Sequence, residues 1–288
     1  MFVFDAMGPR IAARSALSGR QSPARSKLPP GWAALGATVR GVRGSQICAV
    51  AAVATLVALT APASVAVTTG ASGTTSGATG ATSTLAPLLP APKIVKDMIP
   101  FGPARKQQMR EYAETHYGID SYHIVGPHLV IWHFTASATF QSVWNTFADD
   151  VPDVQYHVLP QVCAQFVIDT NGTIYQLVPL DIMCRQVVGL DYTAIGIENV
   201  GFSDRQVMDD KAQYHSALEL TRWLRCKFDL PVKNVIGHNE SLSSPYYIEH
   251  VASWRGQTHQ DFNHADMNVV RAAVAKLPCR ASATAAAP

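Results

Sequence analysis

The order of apolar segments in this 288-residue chain predicts an α/β fold, a mixed central β-sheet flanked by helices. Three observations carry that expectation. Short continuous apolar runs at 129–132 and 194–197 have the length of buried strands, and 232–236 reads as a third strand leading to His238. Segments with apolar residues at helical spacing alternate with them, most clearly over 206–228. One turn signal, Thr170-Asn171-Gly172, joins two further strands as a hairpin and so adds an antiparallel pair to the sheet.

The chain reaches this pattern only after a long lead. Residues 1–43 are rich in Arg, Ser and Pro and show little periodicity. Residues 47–60 form an apolar run behind Arg40 and Arg43, and small-residue sites follow at Ala61-Pro62-Ala63 and Ser64-Val65-Ala66. A basic start, a short apolar stretch and an Ala-x-Ala-like site describe a secretory signal peptide, so residues 1–66 are read as a cleaved leader. The run is shorter than the ~20 residues a spanning helix needs, which favours a cleaved signal, with no stable membrane insertion afterwards, over the rival reading of an uncleaved N-terminal anchor. Cys48 stands too early in it for lipid attachment. Residues 67–92, almost uncharged and built of Thr, Gly, Ala, Ser and Pro, read as a flexible linker. Residues 93–127 are a lead-in segment with a helix expected over Pro103–Tyr117. A single domain is expected over 128–280, followed by a disordered tail over 281–288.

Within the domain, Leu129–Trp132 is the first strand. After a turn at Phe134–Ala138, Phe140, Val143, Trp144 and Phe147 share one face of a helix. The hairpin pairs Cys163–Asp169 with Thr173–Val178. Ala194–Asn199 is the next buried strand. A helix over Gln206–Phe228 follows, carrying Tyr214, Ala217, Leu218, Thr221, Leu224 and Phe228 at helical spacing, and Pro231 stops it. Val232–Ile236 is the last strand, and Met267, Val270, Val274 and Leu277 line the last helix.

Charge separates the leader from the rest. Residues 1–68 hold seven of the 23 basic and one of the 21 acidic side chains, so the formal +2 of the chain becomes −4 for the remainder. A nucleic-acid surface wants a basic face, and that class is set aside. Four cysteines remain beyond the leader: Cys163, Cys184, Cys226 and Cys279. An even count in an exported chain implies two disulfides, with three connectivities open to sequence alone. The Thr170–Gly172 turn brings Cys163 toward Cys184, which favours Cys163–Cys184 and Cys226–Cys279.

Three of the ten histidines stand in distinctive places. His133 follows Leu129-Val130-Ile131-Trp132, His238 follows Val235-Ile236-Gly237, and His259 precedes Asp261 by two residues. Imidazoles at strand ends, joined by one carboxylate, suit a catalytic zinc site, which takes three protein ligands and leaves a position open. If the strands ending at His133 and His238 are neighbours, both rings meet on one rim, where open sheets hold their sites. Glu198 ends a third strand and would face the same rim. A glutamate after Ile195-Gly196-Ile197 is costly to bury without a partner.

Val130-Ile131-Trp132-His133-Phe134-Thr135-Ala136 resembles the first zinc-ligand motif of the type 2 N-acetylmuramoyl-L-alanine amidases, the family shared with phage amidases and peptidoglycan recognition proteins. Phe166–Val178 is similar to that family's hairpin, Ala194–Gly201 to its catalytic-glutamate strand, and Ile236-Gly237-His238-Asn239-Glu240 to its second ligand motif. The motifs follow in the family's order over 128–277. The resemblance implies one Zn²⁺ per domain and hydrolysis of the amide between the muramic-acid lactyl group and L-alanine. It implies His133, His238 and Asp261 as metal ligands, Glu198 as the group that activates water, and His259 as the donor facing the oxyanion. On chemical grounds the reverse division between His259 and Asp261 stays open, with His250 and His264 as spare candidates.

Three positions depart from the family pattern, one of them Ala164, where some phage members use a tyrosine near the metal. Gln165 stands in the hairpin where relatives often carry histidine, and Arg185-Gln186 replaces an expected Arg-His. None is among the three ligands. The competing reading is a secreted module that grips peptidoglycan without cutting it, although members that only bind lack a ligand and none is missing here. No His-Glu-x-x-His helix is present, which argues against the common peptidase pattern. The expected partner is peptidoglycan or a muropeptide, met outside the cytoplasm by a monomer.

Overall fold

In the computed structural model of the protein, residues 86–281 are described. The expected leader and signal peptide, most of the linker and the tail beyond Ala281 lie outside them. Residues 86–92 run beside the C-terminal end of the domain. There the Leu89 amide donates to the Cys279 carbonyl at 2.8 Å, and Arg222 donates to the Pro90 carbonyl at 3.1 Å.

Six strands form one sheet: β1 (Ile94–Lys96), β2 (Leu129–Phe134), β3 (Phe166–Ile168), β4 (Ile174–Gln176), β5 (Ala194–Asn199) and β6 (Val235–Gly237). Their order across the sheet is β1-β4-β3-β5-β2-β6. The sheet is mixed. β3, β5, β2 and β6 run parallel, β4 turns back against β3 through the Asn171-Gly172 hairpin, and β1 lies parallel to β4 at the edge. The lead-in thus contributes a strand as well as α1 (Pro103–Tyr117), which begins on a proline already set for helical φ.

Alternation along the strands sorts side chains onto two faces. Val130 and Trp132 of β2, Ile195 and Ile197 of β5 and Val235 of β6 share one cluster with Leu220 and Leu224 of α4 (Lys211–Lys227) and Met267, Val270 and Val274 of α5 (His264–Ala275). Each such fully buried aliphatic side chain contributes about 1.5–3 kcal/mol. The other set, Leu129 and Ile131 of β2, Ala194 of β5 and Ile236 after Val235, packs with Val187 and Leu190 on the opposite face. Carrying the alternation forward puts His133, Glu198 and His238 on that second face, at the ends of three adjacent strands. α2 (Phe140–Ala148) buries Val143 and Phe147 against Val167, Leu177 and the Cys163–Cys184 pair.

The single helix expected over 206–228 is two, α3 (Asp204–Asp209) and α4. Asp210 leaves helical geometry at φ −78° and ψ 104°, and its carboxylate accepts from the Ala212 and Gln213 amides at 3.0 and 3.1 Å. That is an N-cap, which starts α4 afresh. Periodicity does not reveal the break, because Val207 and Leu220 still reach the same core. The strand expected from Val232 begins only at Val235, after a 3-10 turn over Val232–Asn234.

Two disulfides close the domain, Cys163–Cys184 and Cys226–Cys279, the pairing favoured by the hairpin argument. The second ties the end of α4 to the chain beyond α5. Among the described residues, no helix is long and apolar enough to cross a membrane.

Candidate active site

Strand register assembles the site. His133 is paired with Glu198 across β2 and β5, and Trp132 with Gly237 across β2 and β6, so His238 falls beside His133 on the other flank. All three side chains are buried, with 1%, 5% and 3% exposure for His133, Glu198 and His238. Asp261 reaches the same point from the loop before α5. His133 Nδ1 lies 3.0 Å from Asp261 Oδ2 and 3.1 Å from His238 Nδ1, and His238 Nδ1 lies 3.5 Å from Asp261 Oδ1. His133, His238 and Asp261 are the group of buried donors, among the described residues, that could hold a metal ion.

The donor set suits such an ion. Ligands at the ~2.0–2.1 Å of zinc coordination stand about 3.3 Å apart on a tetrahedron, close to the spacings here. Two ring nitrogens and a carboxylate, all acceptors when neutral imidazole and carboxylate meet, converge on one point where a cation satisfies each of them. His259 does not join this group. Its ring stacks on His238, with centroids 4.6 Å apart and planes at 23°, on the half-exposed side of the cluster. His250 and His264 are exposed, and His264 is paired with Glu240.

Two glycines permit this closeness. A Cβ on Gly237 would stand 1.8 Å from the Phe262 carbonyl oxygen, so only glycine lets the Asp261 loop approach β6. A Cβ on Gly196 would stand 1.6 Å from Gln186 Oε1. Gln186 therefore fills the space under the Glu198 strand. Gln165, fully buried beside it, accepts from the Gly196 amide at 2.8 Å and donates to the Ile182 carbonyl at 2.9 Å. The two glutamines that depart from the family pattern thus brace β5 two residues before Glu198.

The electrostatics follow from burial and crowding. Burial, opposed by His133 and aided by Asp261, pushes the Glu198 carboxyl up to about 7. Glu198 Oε2 has no hydrogen-bond partner among the described residues. Burial opposes ionisation of Asp261, yet His238 and His133 beside it hold its carboxyl well below the usual carboxylate range. Burial also disfavours a charged His133, but its bond to Asp261 and the nearby Glu198 charge outweigh that and raise it. His238 is lowered, by burial first. Burial and then the neighbouring His238 bring His259 down to about 3, so it is a neutral imidazole near pH 7.

A cleft opens from the cluster, lined by His238, His259, Gln186, Arg185, Tyr156 and Gln257. Arg185 donates to the Pro160 carbonyl at 2.8 Å and pairs with Asp153 at 2.6 Å, which anchors the wall segment carrying Tyr156. Two supporting residues stand outside the set expected from the sequence. Asn199 Nδ2 donates to the His133 carbonyl at 2.9 Å, and Asp191 accepts from the Gln186 and Val187 amides, both at 2.7 Å. Of the two only Asn199 left a hint, as a second polar residue beside Glu198 at the end of an apolar run.

The family model of N-acetylmuramoyl-L-alanine amidase, Amidase_2, matches residues 122–261, a span that begins before β2 and ends on Asp261. No curated protein sequence matches the chain. Solved structures similar to it include the N-acetylmuramoyl-L-alanine amidase LysC from Clostridium intestinale URNW, at 18% identity and TM-score 0.35 over 52% of this chain and 85% of that one. A mutant endolysin from Bacillus subtilis is similar at 16% identity and TM-score 0.40 over 63% of this chain and 98% of its own. An AmpD derivative is similar at 17% identity and TM-score 0.36, over 52% and 89%. With its strand-end histidines, Glu198 and Asp261 all inside the matched span, the domain of this chain is similar to the N-acetylmuramoyl-L-alanine amidase family, whose model it matches.

Proposed function

We propose that the domain is a zinc-dependent N-acetylmuramoyl-L-alanine amidase, which hydrolyses the amide joining the lactyl group of N-acetylmuramic acid to L-alanine in peptidoglycan or its fragments. The observation that carries this reading is the buried His133–His238–Asp261 cluster with Glu198 in register beside it. These three residues would hold the ion, and Asp261, kept ionised, offsets part of its charge. When bound, zinc polarises the substrate carbonyl and brings the pKa of a bound water toward about 7.

The chain's own groups supply the remainder. Glu198, with a carboxyl at about 7, can accept a proton at Oε and return it, so it takes the proton of the attacking water and delivers it to the departing L-alanine nitrogen. His259, neutral and at the cleft side of His238, donates an N–H to the oxyanion that develops on the scissile carbonyl oxygen. A neutral imidazole stabilises that charge less than a cation does. The cleft between His238 and the Tyr156 wall receives the substrate, and the buried faces of Glu198 and His133 keep bulk water from the reacting atoms.

Two further readings attach to this one. The catalytic domain is taken as 128–280, with the lead-in adding β1 to its sheet and the linker and leader preceding both. An extracytoplasmic site of action is supported by the two disulfides, which persist in oxidising compartments. The test is mass spectrometry of purified peptidoglycan digested with the protein in the presence of zinc. Release of stem peptides that begin with a free L-alanine amine is expected. Binding to the wall with no such peptides, in a preparation that contains zinc, would replace the enzyme with a recognition module.

A further inference from the structure

Asp204 touches none of the donor atoms, yet it holds the turn that delivers Asp261. It is the first residue of α3 and is 8% exposed. Its Oδ1 accepts from the Phe262 amide at 2.7 Å, and its Oδ2 accepts from the Asn263 amide at 3.0 Å and from Asn263 Nδ2 at 2.9 Å. One carboxylate therefore takes three N–H groups from the two residues that follow Asp261. The chain needs holding there, because Phe262 sits at φ 52°, in the left-handed region that a side-chain-bearing residue rarely adopts.

The neighbours of the turn are fixed as well. The Phe262 ring is fully buried and meets Trp132 edge-on at 5.2 Å, one residue before His133. The Asn239 amide donates to the Asp261 carbonyl at 3.0 Å, one residue after His238. Asn263 caps α5 through Oδ1, which accepts from the Ala265 and Asp266 amides. Asp204 itself follows β5 and Glu198 by a short connection, whose Gly201 amide donates to Thr135 Oγ1 at 3.3 Å. The three chain segments that carry the site, at 133–135, 198–204 and 261–263, are joined through these bonds.

We propose that Asp204 is a positioning residue for the metal centre: its carboxylate fixes the Phe262–Asn263 turn so that the Asp261 side chain meets His133 and His238. This rests on the metal-site reading above. A carboxylate with three donors is matched neither by a carboxamide, which has one acceptor oxygen, nor by a longer or shorter side chain. Groups that orient ligands from behind typically govern 10–100-fold in metal affinity when removed.

The experiment measures zinc affinity of the full-length protein by competition with a chromophoric chelator, well below the melting temperature. Asp204→Asn is expected to weaken zinc binding by roughly 10–100-fold while circular dichroism stays that of the parent. As a control, Asp210→Ala, which removes the capping carboxylate at the start of α4, should leave the affinity unchanged, whereas an equal weakening there would show general loosening of the fold and overturn the inference. Should Asp204→Asn fail to fold, Asn263→Ser decides, because serine still caps α5 while its shorter side chain removes the Nδ2 donor to Asp204 and leaves the two backbone amides. A several-fold weaker affinity is expected for it, and an unchanged one overturns the inference. Folded Asp204→Asn protein with parental affinity overturns it too. A parent that binds no zinc overturns the metal-site reading itself, and with it this inference, whereas a parent that binds alongside unaffected variants rejects the role of Asp204 alone.

Discussion

His133 and Glu198 stand opposite one another on adjacent parallel strands, so one backbone register places a candidate metal ligand beside a candidate proton carrier. Neither residue can slip along its strand without breaking the β2–β5 register. Burial at the end of an apolar strand raises the Glu198 carboxyl, and His133 opposite it works against that rise.

The first expectation concerns Glu198 in turnover. Glu198→Gln keeps the shape but cannot carry the proton, so turnover of muropeptide should fall by roughly 10²–10⁴-fold with zinc content unchanged. Near-parental turnover in a zinc-replete sample would demote Glu198 to scaffold.

Its charge also has a cost in the metal-free protein. Burial raises Glu198 to about 7 in the folded state, above its ordinary value of 4.5. The folded state then binds the proton more tightly than the unfolded chain, so its contribution to stability is fully present below about pH 4 and is lost as pH rises through about 7. In chelator-treated protein, Glu198→Gln should therefore melt higher than the parent at pH 8, and the gap should narrow toward pH 5. A parent that is equally stable relative to Glu198→Gln at both pH values would contradict a strained carboxylate.

The roles of Asp261 and His259 separate by metal analysis. Asp261→Ala should lose zinc and all activity. His259→Ala should keep near-stoichiometric zinc and lose roughly 10²–10³-fold in turnover, the usual size for one oxyanion donor. With His259 held down at about 3, its protonation should leave no inflection in the rate above pH 5. Zinc lost from His259→Ala but kept by Asp261→Ala would exchange the two roles.

Reduction should lower the melting temperature without removing the metal, since neither disulfide includes a donor of the cluster. Loss of a native bridge commonly costs about 2–5 kcal/mol. Calorimetry with and without reductant, alongside zinc analysis, checks both halves. Free alkylation of all four cysteines in the native, unreduced protein would show that the bridges do not form.

Export should leave a mature N-terminus between about Ala63 and Val67, by the small-residue rule for cleavage. These positions lie outside the described residues. N-terminal sequencing of extracytoplasmic protein that begins at Met1 or Met7 would reject a cleaved leader.

What the sequence by itself determined is what repeats at short range. Apolar runs with a histidine or glutamate at the end marked β2, β5 and β6 and their rim residues, because alternation of side chains is a local property of a strand. The hairpin turn at Asn171-Gly172 placed Cys163 near Cys184 for the same reason. The tertiary structure alone decided the rest. That β5 and β6 flank β2 depends on pairing between residues 65 and 105 positions apart, which no local pattern encodes. The break at Asp210 was hidden because both helices face one core. His259 and Asp261 look interchangeable in a loop. What turns Asp261 inward and leaves His259 at the cleft is the left-handed Phe262, held by an aspartate 58 residues earlier and admitted by the absent Cβ of Gly237. Such a choice belongs to long-range contacts, because a left-handed non-glycine residue costs about 1–3 kcal/mol unless its surroundings hold it there.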